Sequence, residues 1–256
     1  MKAKKRTRQT LLAVLALKTI LLLSGIVPAY AASIDAVITA DNHYGFYYGA
    51  IDGGSLTLVG RNEFGAYDDQ GYYNWARHET WKANVPKGFY LYILAWNDAP
   101  LGGLNPQAWL GDFTLPGGRK LYSTVTDWQY IVSSNLNPQL ADYNGIYNGL
   151  PPLAQVQGEI AAGTANHLWA FPNPGITTPN DESNIWGQPG GVGPLPGISP
   201  AANWIWHDTF DDFSSSKDHY AIFRTDQPMV PIPSTLLLLG SGLLGLAGLG
   251  RRVRKS

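Results

Sequence analysis

Aromatic rings and hydrogen-bonding side chains alternate in the first hundred residues of this chain: Tyr44, Tyr47, Tyr48, Trp75, Trp81 and Trp96, with Asp41, Asn42, Arg61, Asn62 and Arg77. A sugar ring needs flat apolar faces with polar groups beside them, and each Tyr or Trp offers an apolar body and a polar handle. The same rings would also serve as the core of a β domain, and both readings stay open. A second set is acidic. Asp208, Asp211, Asp212 and Asp218 cluster between two expected strands, and Asp68 and Asp69 sit in an earlier loop. Several hard oxygens brought to one point would hold a structural Ca²⁺ ion. There is no EF-hand spacing, and a solvated acidic loop is the alternative.

Catalytic signatures are missing. The chain has no cysteine nucleophile, no His-Glu-x-x-His zinc motif and no Gly-x-Ser-x-Gly elbow. His43, His78, His167, His207 and His219 are scattered. His78-Glu79 and His207-Asp208 are adjacent on expected strands, where neighbours face opposite sides, so neither is a natural couple. The expectation is a protein that is not an enzyme. A secreted glycan hydrolase using paired carboxylates is the remaining catalytic alternative.

The elements that must position these residues read as strands. The segment 34–40 is β-branched and alternating. Segments 44–48 and 55–59 flank Asp52-Gly53-Gly54, a hairpin signal. Further strands are expected at 75–85, 89–96, 107–113, 121–124 and 128–132. The run at 89–96 (FYLYILAW) is apolar on both faces, as a strand central to a sandwich would be. Turn chemistry lies between them at Pro86-Lys87-Gly88, Asn97-Asp98-Ala99-Pro100 and Pro116-Gly117-Gly118. Short strands at this spacing indicate an all-β sandwich or barrel.

Residues 133–200 hold ten of the chain's 18 prolines. They read as a loop-rich insertion draped over the sandwich, with one helix from Pro151-Pro152 through 153–162 and with Trp169 and Trp186 as anchors. Strands return at 203–207 and 219–224 to close the sheets. The ectodomain is thus expected over 32–226 and an extended linker over 227–233.

Both ends read as addresses. Lys2, Lys4, Lys5, Arg6 and Arg8 precede an apolar run at 11–27, and Ala29-Tyr30-Ala31 suits signal peptidase, giving a signal peptide over 1–31. Near the other end, Pro231-Ile232-Pro233 precedes an uncharged apolar stretch at 234–250 and the basic residues 251–256. The run 235–250 would span about 24 Å as a helix, short for a bilayer core but within reach of local thinning. Its glycines argue against a soluble amphipathic helix. Basic residues flanking membrane spans stay cytoplasmic, so everything between these ends is expected to be exported.

That middle region holds all 19 acidic residues but only eight of the 18 basic ones, a formal charge of −11. Such a balance argues against a nucleic-acid partner. It also argues against docking of the body on anionic headgroups. Without cysteine, an exported fold must rely on burial, and its nine tryptophans and 13 of the 14 tyrosines supply the material.

The tail resembles the PEP-CTERM sorting signal of Gram-negative bacteria. Val230, Pro231 and Pro233, the apolar segment and Arg251 with Arg252 match it, while Ile232 stands where the named motif has glutamate. The resemblance implies recognition by an exosortase-like enzyme, cleavage near the proline motif, and a precursor held in the inner membrane by its C-terminal helix. It also implies a periplasmic ectodomain, later a cell-surface or extracellular one, with exopolysaccharide as a partner. The ectodomain resembles a galactose-binding-like jelly roll through ADNHYGFYYG, LVGRN, HETW, YLYILAWND and WLGDF. That pattern implies a jelly-roll-like antiparallel β-sandwich and, since fold does not fix function, nothing more definite. A structural surface protein with no small ligand is the competing expectation.

Overall fold

The computed structural model describes residues 31–41, 43–62, 75–96, 108–138, 150–181, 194–207 and 219–229. Residues 1–30 of the expected signal peptide, Asn42, Asp68, Asp69, Trp186, the four aspartates at 208–218, and the linker, membrane segment and basic tail from Val230 onward lie outside them. No helix among the described residues is long and apolar enough to cross a membrane.

Strand alternation builds the molecule. In β1 (Ala31–Asp41) the residues Ile34, Ala36, Ile38 and Ala40 face inward. This strand pairs antiparallel with β4 (Glu79–Pro86) on one side and β6 (Ala108–Thr114) on the other. The short β7 (Lys120–Tyr122) completes a four-stranded sheet ordered β4-β1-β6-β7. The second sheet has five strands. Its centre is β5 (Tyr90–Trp96), flanked by the hairpin of β2 (His43–Gly49) and β3 (Thr57–Arg61) and by β11 (His219–Thr225) and β8 (Trp128–Leu136). The order is β3-β2-β5-β11-β8, and every pairing is antiparallel. The expected hairpin is present, with Gly53 at φ 76° in its turn.

The two sheets face each other across one core. Ile34, Ile38, Val85, Trp109 and Phe113 from the first meet Tyr44, Phe46, Leu91, Ile93, Trp128 and Phe223 from the second. Trp109 packs edge-on against Trp128 with ring centroids 4.7 Å apart and against Phe223 at 5.6 Å. The domain is therefore an antiparallel β-sandwich.

Both sheets are also covered on their outer faces, by parts of the expected insertion and the residues that follow it. The helix α1 (Leu153–Ala165) lays Val156 and Ile160 on Tyr92, Leu94, Tyr220 and Ile222. This accounts for the two-faced apolar run in β5: Leu91, Ile93 and Ala95 point into the sandwich, and Tyr92, Leu94 and Trp96 point toward the helix layer. On the other sheet, Leu195, Ile198, Ala202 and Trp204 cover Ala108 and Leu110. Several boundaries differ from expectation, among them the start of β4 at Glu79 and the end of the helix at Ala165. Residues 133–136 continue β8 instead of opening the insertion. Asn203–Trp204 (β10) pairs with Thr178–Pro179 (β9) in a separate ribbon, and of the expected strand 203–207 only Ile205 joins a main sheet, through one antiparallel bridge to Trp109 of β6. Pro179 hid its short partner, since proline argues against a strand.

The helix is fixed at its middle and at its C-terminal end by hydrogen-bonded polar groups. Glu159 accepts hydrogen bonds from Ser133 Oγ (2.6 Å), Asn135 Nδ2 (2.7 Å) and the Tyr220 hydroxyl. Burial pushes the Tyr220 phenol up to about 12. At the C-terminal end of the helix, buried Arg224 stacks on Trp169 at 3.9 Å and lies 5.4 Å from Tyr90. Its guanidinium donates to Gln129 Oε1 (2.8 Å), to the Ile51 carbonyl and to Thr164 Oγ1 (both 3.3 Å). A cation there is favoured by the negative pole of the helix dipole.

Candidate functional site at the polar end of the sandwich

The strand registers give the sandwich two unlike ends. At one end the connections are short: the turns 50–56, 87–89 and 115–119. The opposite end is where β1 stops at Asp41, β2 starts at His43, β3 stops beside Asn62, β4 starts at Glu79 and β5 stops at Trp96. Asp41 lies across from Ala108, His43 from Trp96 and Leu136 from His219, so these strand ends are neighbours in space. Asp41, His43, Asn62 and Glu79 are all buried there. Buried polar groups cost free energy unless hydrogen-bonded, so their gathering is an organised feature.

One knot is built around Tyr44. Its ring lies in the core, and its hydroxyl donates to Glu79 Oε2 (2.7 Å) while accepting from Trp81 Nε1 (2.7 Å). Its backbone N–H donates to Asn62 Oδ1 (2.9 Å). Trp81 comes from the edge of the first sheet and lies over Gly60 of β3, at the edge of the second; a Cβ at Gly60 would overlap the Trp81 ring. The knot therefore closes one side of the sandwich. Next to it, His43 stacks on Trp96 with centroids 5.3 Å apart and planes at 15°. Thr39 Oγ1 contacts the carbonyls of Trp75 and Arg77 at 2.8 Å each, which fixes the chain leading into β4. Arg77 is exposed, and Trp75, Arg61 and Trp81 are half-buried. Burial lowers the pKa of His78 beside them.

The sequence candidates thus divide. Asp41, Tyr44, Arg61, Asn62, Trp75, Arg77, Trp81 and Trp96 belong to strand ends or connections at the polar end. Tyr47 lies elsewhere, on the helix-covered face, where burial raises its phenol above the ordinary range despite Arg61. Tyr48 packs toward Phe89 at the opposite end, 6.2 Å between centroids. Tyr44, Tyr47 and Trp96 are core rings with no open face. His43 and Glu79 are not visible as partners in the sequence, where His43 is an isolated histidine and Glu79 is adjacent only to His78. Each finds its partner across strands, which register alone reveals.

Among the described residues no group of three or more His, Cys, Asp or Glu side chains is arranged to hold a metal ion. The aspartates at 208–218 are outside that set. No protein-family model, curated protein or solved structure matches this chain. Its chemistry therefore rests on the geometry above and on the sequence patterns.

Proposed function

We propose that this chain is an exported, non-catalytic surface or matrix module that associates with polysaccharide through the polar end of its sandwich. In this reading, signal peptidase removes residues 1–31. The segment 234–250 then tethers the precursor in the inner membrane until an exosortase-like enzyme acts near Pro231-Ile232-Pro233. The observation that carries the binding role is the set of less buried side chains on the strand ends and connections of the polar end, exposed Arg77 with half-buried Arg61, Trp75 and Trp81, held in place by the buried Asn62 and Glu79. Hydrogen-bonding groups next to ring faces are what sugar recognition requires. A jelly-roll-like topology is part of the proposal. It is supported by the repeated crossing of the chain between sheets, from β1 to β2, β3 to β4, β4 to β5, β5 to β6 and β7 to β8.

The test is retention of the mature protein on exopolysaccharide from the producing cells. Arg77→Ala and Trp75→Ala should weaken retention, and Lys87→Ala at the opposite end should not. Absence of any retention would overturn the binding role. A second reading, a purely structural surface protein, is favoured by the full burial of the Tyr44, Tyr47 and Trp96 rings. It predicts no retention and no effect of any of these changes.

A further inference from the structure

The route by which the chain enters and leaves the sandwich fixes how the body would stand on a membrane. Just after the first described residue, Ala32 opens the mature chain and pairs with Val85 near the end of β4. Met229, the last, returns to the same place: its N–H donates to the Phe89 carbonyl (2.9 Å). Its own carbonyl accepts from Arg119 Nη2 (3.3 Å), and its side chain is 4% exposed within the sandwich core. Both points lie at the end with the short turns. The buried polar residues Asp41, His43, Asn62 and Glu79 lie at the other.

We infer that Met229, Phe89 and Arg119 form a latch that holds the start of the C-terminal segment against the base of the sandwich, so that the tethered protein stands with its polar end turned away from the bilayer. The inference rests on reading 234–250 as a membrane segment. Only residues 230–233 separate the latch from that segment, and at most about 3.6 Å per residue they reach roughly 14 Å. A free linker of greater length would let the body tumble. A latched one holds the base near the headgroups, with the polar end removed by the length of the strands.

The chain has no cysteine, so single labels are unambiguous. Thr80, Asn84 and Lys87 follow one another along β4 and its turn, and Thr80 and Asn84 are exposed on one face. From Thr80 to Pro86, the residue before Lys87, the strand rises about 20 Å at roughly 3.4 Å per residue. The full chain carrying Thr80→Cys, Asn84→Cys or Lys87→Cys is labelled with a fluorophore and reconstituted in vesicles whose headgroups carry a nitroxide. Quenching should be several-fold stronger at position 87 than at 80, with 84 between. In Met229→Ser or Arg119→Ala backgrounds the gradient should flatten. Equal quenching at the three positions, or strongest quenching at 80, overturns the inference, as does a gradient that both latch variants leave unchanged. A protein that does not float with the vesicles removes the membrane tether itself, and with it both this inference and the reading on which it rests.

Discussion

Replacing Tyr44 by Phe tests the polar knot with little change in shape. The ring stays in the core, and only the hydroxyl is lost. That oxygen donates to the buried carboxylate of Glu79 and accepts from the indole N–H of Trp81, each at 2.7 Å. A hydrogen bond to a charged group contributes about 1.5–3 kcal/mol, and a neutral one about 1 kcal/mol. The expected loss is thus about 3 kcal/mol. In a domain of this size each kcal/mol lowers Tm by about 2–4 °C, so Tm should fall by about 6–12 °C. Urea and thermal unfolding of the mature protein, followed by near-ultraviolet circular dichroism, would measure it. A double-mutant cycle with Trp81→Phe should show coupling of about 1 kcal/mol, since the two changes break one shared bond. A Tyr44→Phe protein within about 0.5 kcal/mol of the parent, the usual range for inconsequential surface changes, would refute the knot.

Other consequences follow from the same packing. Gly60→Ala should cost about 1–3 kcal/mol through overlap with Trp81, and Trp81→Leu should relieve most of that cost in the double variant. Arg224→Lys should destabilise the domain by about 1–2 kcal/mol and speed amide exchange in α1, because an ammonium cannot stack on Trp169 and reach Gln129, Ile51 and Thr164 together. Burial raises the Tyr220 phenol to about 12 and raises Tyr47 and Tyr92 as well. The unfolded chain loses these protons near the ordinary phenol value of about 10, so stability should fall as the pH rises from there toward 12. Absorbance at 295 nm should then show three tyrosines ionising late, together with unfolding. His78 acts in the opposite direction of pH: burial lowers its pKa, so the unfolded chain protonates first, and stability is lost as pH falls below about 6.5. His78→Asn should remove that part of the acid slope in a urea titration.

The sandwich was legible because alternation survives in β1 and β4, where one face is core and the other is polar. The hairpin turn at Gly53 and the proline-started helix were legible for local reasons. What stayed hidden is of two kinds. The paired coverings of the outer faces could be felt only as excess hydrophobicity in FYLYILAW, without indicating what lay above it. The polar knot depends on register: Tyr44 and Glu79 are 35 residues apart and meet because β2 and β4 begin at the same end of the two sheets. Aromatic identity alone could not separate a ring that faces solvent from one that faces the core, so Tyr44, Tyr47 and Trp96 stood beside Trp75 and Trp81 on equal terms. Arg224 was invisible for a related reason. Inside HYAIFRT it looks like an exposed interruption, yet its partners come from four segments distant in sequence.

Everything functional in this account depends on the chain being exported, trimmed at both ends and released with its sandwich intact. Intact mass of the protein recovered outside the producing cells measures that directly. A single species is expected that begins at Ala32 and ends close to Pro231-Ile232-Pro233, with any added group visible as a defined increment. Recovery of only the full 256-residue chain, or of the protein solely in the cytosol, would contradict it.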